Sequence, residues 1–289
     1  MFTNIHKKDI EILLEKIKEA DAIVVGGASG MSAAAGYNWY TNNDMFKQYF
    51  GPFNEKYGID GIFNGCYYRY RTREERWAYI ATVMHYVNDC KVGQPYLDLY
   101  QLIQDKNYFI VTTNQDTQFS QAFPEEKVST IQGDWRYFQC SGPCHDQIYP
   151  AMEQAEEMYQ AIKDCRIPTE LIPKCPKCGK DMENWVRSYV FLEGTKYKEE
   201  YEKWNQFLVM NKDKKILFLE LGVGRMTPMF IQEPFWSLTY SLPESYYITI
   251  NPKDALIPKQ LEDKGTAIHE DIAVVLREAV KIKENERNV

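Results

Sequence analysis

Two side-chain amides, Asn114 and Gln132, stand at the two ends of one polar loop. Residues 108–111 are aromatic or β-branched, which predicts a short buried strand, and the polar turn begins at Thr112. Ligands of open parallel sheets bind at the carboxyl ends of the strands. A carboxamide has no accessible pKa, so it can orient a hydroxyl by hydrogen bonds but cannot act as a general base. The loop therefore predicts a ligand site in which the two amides orient hydroxyl groups of the ligand by hydrogen bonds.

Four cysteines form two close pairs, each across a tight turn that contains glycine or proline. The pairs are Cys140 with Cys144 and Cys175 with Cys178. Thiolates in such turns reach a tetrahedral Zn²⁺, and four thiolates leave no position for a reactive water. The pattern predicts one structural zinc ion without a catalytic role. His145 follows the second thiol, and we expect it to be a bystander.

Composition favours a cytoplasmic globular protein. The chain has 289 residues, 44% apolar residues and a net charge of −7 with both signs interspersed. This balance argues against a nucleic-acid surface, and no apolar run is long enough for a signal peptide or a membrane span. Seven cysteines, an odd number, do not suggest a disulfide framework. We expect Cys66, Cys90 and Cys165 to be buried thiols.

Two glycine-rich turns follow apolar strands. Residues 22–25 lead into a glycine and alanine segment that ends at Gly36, and residues 215–221 lead into Gly222-Val-Gly224. Glycines let a backbone approach a pyrophosphate, and the helix that follows presents free N–H groups. The pattern predicts a dinucleotide site, although a tight turn without a ligand has a similar sequence. Asn251 ends a third strand, where it could bond a ribose hydroxyl or form the turn before Pro252.

The remaining periodicities define the fold class. Apolar spacing predicts helices over 9–19, 74–90, 196–210 and 272–284, and the second of these is expected to be amphipathic and to cover the pocket. We expect Asp271 to cap the last helix. Strands and helices alternate, with one interruption by the cysteine module. This predicts an α/β fold: a Rossmann-like doubly wound parallel sheet with a small inserted zinc-binding module and a helical subdomain.

Four motifs in this order resemble sirtuins, the NAD-dependent protein deacylase superfamily. They are Gly-Ala-Ser-Gly-Met-Ser at 27–32, Thr-Asn-Gln-Asp at 113–116, the cysteine pairs, and Gly222-Val-Gly224 with the strand that ends at Asn251. The resemblance spans nearly the whole chain. Three departures stand out: an extra residue in the first glycine loop, Asn-Trp-Tyr-Thr at 38–41 in place of Pro-Asp-Phe-Arg, and Gln132-Gly133 in place of the catalytic His-Gly.

The change at Gln132 alters the expected reaction. In sirtuin deacylation a histidine removes a proton from a ribose hydroxyl, and an imidazole does this because its pKa lies near neutrality. The histidines of this chain, His6, His85, His145 and His269, are all distant from position 132 in sequence. Without a base, the site can ionise the nicotinamide glycosidic bond and let another nucleophile capture the ribosyl group.

The overall pattern is similar to the class M, macrodomain-linked sirtuins of microbes. That resemblance implies an NAD-dependent protein mono-ADP-ribosyltransferase of the oxidative stress response, a lipoylated glycine-cleavage H-like carrier as acceptor, and a macrodomain hydrolase as functional partner. It implies one catalytic domain over 1–289: a Rossmann-like core at 1–39, 96–136 and 211–289, a helical cofactor-loop region at 40–95, and a zinc module at 137–190. Two other readings are a lysine deacylase that uses another base, such as Asp116, and a non-catalytic NAD or ADP-ribose sensor.

The same resemblance implies the site residues by matched position. Asn114 and Gln132 are implied as the catalytic pair. The implied NAD-binding residues are Ala28, Ser29, Gly30, Met31, Tyr37, Gln115, Asp116, Gly222, Gly224, Arg225, Met226, Asn251 and Asp271.

Overall fold

The computed structural model describes residues 4–287, and their side chains from residue 7 to residue 286. The helices are α1 (Asn4–Glu19), α2 (Ser29–Ala34), α3 (Asp44–Tyr57), α4 (Ile62–Cys66), α5 (Arg73–Asp89), α6 (Gln94–Ile103), α7 (Gln118–Ala122), α8 (Met152–Gln160), α9 (Thr195–Asn211), α10 (Gln232–Ser241) and α11 (Ile272–Arg287). The strands are β1 (Ala22–Gly27), β2 (Tyr108–Thr112), β3 (Val128–Thr130), β4 (Gly133–Cys140), β5 (Tyr149–Pro150), β6 (Met182–Val186), β7 (Ile216–Leu221), β8 (Ser245–Ile250) and β9 (Gly265–Ile268).

The main sheet has six parallel strands in the order β3-β2-β1-β7-β8-β9. Every residue of β1, β2 and β7 is buried, because helices cover both faces of the sheet. From β1 the chain builds outward to β2 and β3, then returns to place β7 on the other side of β1. The strand order therefore reverses between β1 and β7, and such switch points are where open sheets bind ligands.

The two faces of the sheet have separate cores. On one face α1, α6 and α11 pack together and bury residues such as Leu13 and Leu276 against the strands. On the other face α9 and α10 supply Phe207 and Phe235. These layers confirm the predicted doubly wound α/β class. Within the described residues, each helix is too short or too polar to cross a bilayer.

A third core joins the helical region to a small antiparallel sheet of order β5-β4-β6. Its centre is α5, which begins with a capping box between Thr72 and Glu75. The prediction that this helix is amphipathic is wrong, because α8 packs on one side and α3 and α4 pack on others. All residues from Trp77 to Met84 are buried. The helix is the core of this region, and only part of it, including Arg76 and Ile80, borders the cavity described below.

Glu220 is a fully buried carboxyl group on β7. It accepts hydrogen bonds from Tyr247 Oη (2.5 Å), Thr249 Oγ1 (3.0 Å) and Gln232 Nε2 (3.1 Å), which join β7 to β8 and α10. Burial raises the pKa of Glu220 from its ordinary value of 4.5 to about 7, although the three hydrogen bonds oppose this shift. The fold therefore prefers the protonated form.

This preference predicts that stability depends on pH and that Glu220→Gln removes the part of this dependence due to Glu220. Between pH 4.5 and about 7 the folded state keeps a proton that the unfolded state has lost, so stability falls as pH rises through that window. From pH 5 to pH 8 the unfolding free energy of wild type should fall by roughly 2 kcal/mol relative to that of Glu220→Gln. Urea unfolding of both proteins at the two pH values measures this, and ionisations that they share cancel in the difference. Equal pH slopes for the two proteins would contradict the assignment.

Candidate active site

A cavity of about 520 Å³ lies at the carboxyl edge of the main sheet, between the sheet and the helical region. Its lining includes residues that follow β1, β2 and β7 within three positions, among them Ala28, Thr113 and Gly224. The volume falls within the range of roughly 300–1,000 Å³ that is usual for small-molecule sites. The predicted site residues that line it are Ala28, Ser29, Asn114, Gln115, Asp116, Gln132, Gly224 and Met226.

The two glycine turns touch each other at Gly30 and Gly222. A Cβ on Gly222 would lie 2.5 Å from Gly30 Cα, and a Cβ on Gly30 would lie 2.6 Å from Gly222 Cα. Gly222 also has a φ of +70°. Gly30 N donates to Gly222 O (3.0 Å) and Ala28 N donates to Leu221 O (3.0 Å). These glycines are therefore needed for the contact between the turns, and their predicted approach to a pyrophosphate stays a prediction.

Asn251 stabilises the second glycine turn and lies outside the cavity lining. Its Nδ2 donates to Val223 O (2.9 Å), and its Oδ1 accepts from the backbone N–H groups of Lys253 and Asp254 (both 3.0 Å). Asp254 in turn accepts from Arg225 Nε (2.7 Å). The amide of Asn251 thus stabilises the turn over residues 251–254, which contains Pro252.

Three other predicted residues also have structural partners outside the lining. Asp271 Oδ1 accepts from Ala273 N (2.8 Å), so Asp271 caps α11 as predicted. Met31 is fully buried in the core beside α6 and α11. Tyr37 Oη donates to Lys91 O (2.7 Å), which fixes the segment after α2.

Asn114 is held rigidly by the two strands beside it. Its backbone N–H donates to Thr112 Oγ1 (2.9 Å), and its Nδ2 donates to Ala28 O (2.9 Å). Thr112 Oγ1 donates to Gly27 O (2.9 Å), so the ends of β1 and β2 are tied together. These bonds fix the orientation of the Asn114 amide at the cavity wall.

Gln132 is 5% exposed and directly precedes β4. Its backbone O accepts from Gln115 Nε2 (2.9 Å) and Arg187 N (2.8 Å), and its side-chain Oε1 accepts from Arg187 Nε (3.3 Å). Gly133 has a φ of +87°, and a Cβ there would lie 2.1 Å from Trp185 O. The glycine therefore lets β4 and β6 approach closely, which brings Arg187 to Gln132.

Arg187 is a cavity residue that the sequence argument missed. Its guanidinium pairs with Glu193 and lies 4.3 Å from the centre of the Phe191 ring and 5.2 Å from that of Tyr197. Nη2 is buried without a hydrogen-bond partner among the described residues. Arg187 thus brings a positive charge and a free N–H donor to the cavity beside Gln132. In sequence it follows an ordinary strand without a motif, so no local signal marks it.

Asp116 is the buried acid of the site. Its Oδ2 accepts from Ser32 Oγ (2.5 Å) and its Oδ1 from Gln118 N (3.3 Å). Burial raises the pKa of Asp116 to about 6, which the hydrogen bond from Ser32 partly opposes. Ser32 also lines the cavity. The carboxyl group therefore titrates close to neutrality.

No histidine is found among the described residues that line the cavity. His85 Nδ1 contacts Glu156 Oε2 (2.7 Å), and its ring stacks on Tyr159. His145 lies beside the cysteine cluster, and its Nε2 contacts Tyr149 Oη (2.7 Å). The side chain of His6 lies outside the described residues. The site thus offers amides, a carboxyl group and a guanidinium, without an imidazole.

Solved structures share this fold. A mutant Sir2 homologue in complex with ADP-ribose is 15% identical and has a TM-score of 0.63, with 96% of this chain and 98% of that chain covered. A Sir2 homologue in complex with NAD is 16% identical, with a TM-score of 0.60 and coverages of 96% and 94%. At this identity the likeness establishes the sirtuin fold.

Curated relatives establish the family. A protein named protein ADP-ribosyltransferase, from Staphylococcus aureus (strain Mu50), is 35% identical over 279 residues, which is 95% of this chain and 88% of the relative. The chain belongs to the sirtuin-family protein ADP-ribosyltransferases. A probable bifunctional ADP-ribose hydrolase/ADP-ribosyltransferase from Fusarium oxysporum f. sp. cubense is 28% identical over 93% of this chain. The match spans about half (47%) of that relative's length. No protein-family model matches the chain.

The far wall of the cavity in this ADP-ribosyltransferase is aromatic. It is formed by Trp39, Phe63, Ile80 and Trp135, with Tyr40 at the rim and 47% exposed. These residues come from distant parts of the chain. No local sequence pattern assigns these individual rings to the wall.

Polar groups that sequence analysis did not identify interrupt this aromatic wall. Arg76 Nη2 pairs with Glu183 Oε2 (2.5 Å), which joins α5 to β6. Asn184 is 4% exposed, and its Oδ1 has no hydrogen-bond partner among the described residues. The same holds for Trp135 Nε1. The wall therefore offers an unsatisfied acceptor and an unsatisfied donor on an apolar surface.

The four predicted metal ligands form one cluster. The Sγ atoms of Cys140, Cys144, Cys175 and Cys178 all lie within 4.8 Å of one another. Cys140 and Cys178 are 3.5 Å apart, and Cys144 and Cys175 are 3.7 Å apart. A tetrahedral Zn²⁺ with Zn–S bonds of ~2.3 Å needs sulfur separations of about 3.8 Å. The donor set and spacing fit a structural zinc. Cys90 and Cys165 are buried thiols as predicted, whereas Cys66 is partly exposed at the cavity wall.

The contact between the glycine turns predicts a large difference between two glycine variants. Gly222→Ala places a methyl group against Gly30 at a left-handed backbone position, and we expect a loss of about 2–4 kcal/mol in unfolding free energy. Gly224→Ala is the matched control, because no atom beyond its chain neighbours lies within 4 Å of its Cβ position, and it should cost under about 1 kcal/mol. Denaturant titration of both variants tests this. Similar stabilities would show that the turns do not depend on this contact.

The cysteine cluster predicts one zinc ion per chain and unfolding of the small sheet upon chelation. Cys175→Ala should lose the metal and lower the unfolding free energy by several kcal/mol, because Cys175 is one of the four ligands. Cys90→Ala, a buried thiol outside the cluster, should keep the metal. Elemental analysis of freshly purified, reduced protein measures the zinc content. A metal-free protein of unchanged stability would contradict the assignment.

Proposed function

We propose that this chain transfers a single ADP-ribose from NAD to a protein acceptor and releases nicotinamide. The observation that carries the proposal is the carboxamide of Gln132 at the sheet edge, in a cavity whose described lining contains no imidazole. Family membership supports the transferase reaction, because the Staphylococcus aureus relative is named a protein ADP-ribosyltransferase.

The cavity fits NAD as the donor. It lies at the switch point of a doubly wound sheet, and Sir2 homologues of the same fold form complexes with NAD and with ADP-ribose. The residues of this chain that would hold the nucleotide are those at the sheet edge: Ser29, Asn114, Gln115, Asp116 and Gly224. NAD supplies a glycosidic bond with a neutral leaving group, nicotinamide. In the transfer this bond breaks and nicotinamide leaves with its electron pair. A bond from the acceptor to the ribose carbon forms, and the acceptor's proton is released to solvent.

The two amides would orient the ribose. Asn114 is fixed through Nδ2, so its Oδ1 is left to accept from a hydroxyl or a water molecule. Gln132 accepts from Arg187 through Oε1, so its Nε2 is left to donate. Both amides are pre-positioned by hydrogen bonds to the protein, and such fixed orientation is a large source of rate enhancement. Neither amide can remove the proton that deacylation requires.

We further propose a lipoylated glycine-cleavage H-like protein as the acceptor and a macrodomain hydrolase as the functional partner. The aromatic far wall supports the first, because a narrow aliphatic chain can pack on Trp39, Phe63 and Ile80. The Fusarium relative supports the second, because its name joins an ADP-ribose hydrolase with an ADP-ribosyltransferase.

Lysine deacylation is the second candidate, and one observation favours it. Asp116 has a pKa of about 6, so near neutral pH its carboxylate could accept a proton in place of a histidine. Asp116 accepts a hydrogen bond from Ser32 and lines the same cavity as Asn114. A direct comparison of the two reactions separates the candidates.

The proposal predicts label transfer that depends on Asn114 and a reaction that changes with residue 132. With NAD labelled in the adenylate, wild type should modify the lipoylated carrier, and Asn114→Ala should reduce transfer about 10²-fold because the ribose loses its orientation. Gln132→His should gain deacylation of an acetyl-lysine peptide because it supplies a base. Scintillation counting of the carrier and mass spectrometry of the peptide measure the two reactions.

Gln206→His is the matched control, because Gln206 is an exposed amide on α9 away from the cavity. It should leave both reactions unchanged. Efficient deacylation by wild type without label transfer would replace the proposal with the deacylase. Binding of NAD by calorimetry without release of nicotinamide would instead indicate a sensor.

A further inference from the structure

Residues 67–71, Tyr-Tyr-Arg-Tyr-Arg, form an exposed segment at the mouth of the cavity, which we name the Tyr-Arg segment. It follows α4, whose Phe63 and Cys66 line the cavity. Tyr67 also lines the cavity and is 64% exposed. Successive Cα atoms are 3.8 Å apart, so Arg69 Cα lies within about 8 Å of Tyr67 Cα. The segment therefore borders the entrance that an acceptor must approach.

The arginines after α4 divide into two kinds. Arg73 Nη1 donates to Asp181 Oδ2 (2.7 Å), and Arg76 pairs with Glu183, so both join the helical region to the zinc module. Arg69 and Arg71 are exposed, and neither forms an ion pair with any residue that the structure describes. In a chain of net charge −7, these two cations without an ion pair lie two and four residues after Tyr67, which lines the cavity.

Aromatic packing keeps the segment in place. The Tyr68 and Tyr70 rings are 4.9 Å apart, and both pack on Tyr57, at 5.5 and 5.6 Å. Tyr70 Oη also donates to Gly65 O (3.0 Å). A surface fixed before binding loses less entropy on association, and tyrosine and arginine are the residues enriched at protein interfaces. The two arginines thus project from an ordered aromatic base.

We infer that the Tyr-Arg segment docks an acidic face of the protein acceptor beside the cavity mouth. The inference rests on the proposed transferase function and adds the charge of the acceptor surface to it. Complementary charge at the rim of an interface accelerates encounter and sets orientation. Two free cations on an acidic protein neutralise too few phosphates for a nucleic-acid surface, which needs an extended basic stripe.

Charge reversal at the segment tests the inference. With the lipoylated carrier as acceptor, Arg69→Glu/Arg71→Glu should raise KM for the carrier about fivefold to tenfold at low salt, and added NaCl should reduce the difference. Because neither residue lines the cavity, kcat and nicotinamide release without acceptor should be unchanged. The matched control is Lys212→Glu/Lys215→Glu, an equal charge change at two exposed residues just before β7, at the amino end of that strand. It should leave KM unchanged.

A second measurement keeps the inference separate from the proposed function. If wild type does not modify the carrier, that acceptor proposal fails, and binding of a fluorescein-labelled hexaglutamate peptide decides the docking surface. Anisotropy should show that wild type and the lysine control bind the peptide at low salt and that Arg69→Glu/Arg71→Glu does not. Equal KM values for the two double variants, or equal peptide binding, would overturn the inference. Loss of binding to a single-stranded RNA oligonucleotide alone would assign the segment to nucleic acid instead.

Discussion

The backbone contact between Gly30 and Gly222 is the constraint on which the site depends. It lies where the strand order reverses, so the turns after β1 and β7 meet with no side chain between them. Hydrogen bonds from Gly30 to Gly222 and from Asn251 to Val223 close the junction. Asn114 then bonds to Ala28 in the first turn. The position of the Asn114 amide is thus set by the packing of two loops.

Local sequence patterns were sufficient for much of the fold. Apolar runs predicted β1, β2, β7 and β8 to within about two residues, since buried parallel strands have a strong local signal. The paired cysteines predicted the metal cluster because each pair is a local turn. By contrast, α3 was not predicted, since Gly51 and Pro52 interrupt its pattern, although Asn43 caps its start and Gly58 ends it.

The composition of the cavity could be predicted only at the sheet edge. Residues such as Asn114 and Gln115 follow a recognisable strand, so their location follows from the fold class. Arg187 reaches Gln132 because Gly133 lets β4 and β6 approach each other, and that approach is a tertiary contact. The amphipathic prediction for α5 failed for the same reason, because its outer face is covered by α8. Pairing between distant segments has no signature in a local window.

The ion pairs between α5 and β6 have a consequence for how substitutions in the metal module should be interpreted. β6 begins four residues after Cys178, contributes Asn184 and Val186 to the cavity, and ends directly before Arg187. Arg73 pairs with Asp181, the residue before β6, and Arg76 pairs with Glu183 within it, so both attach this strand to the helical region. β6 therefore connects the cysteine cluster to the cavity wall. β4 does the same, because it contributes Trp135 to the cavity and ends at Cys140. The tolerance of the cysteine module to substitution is therefore coupled to the shape of the cavity, although no zinc ligand lines that cavity.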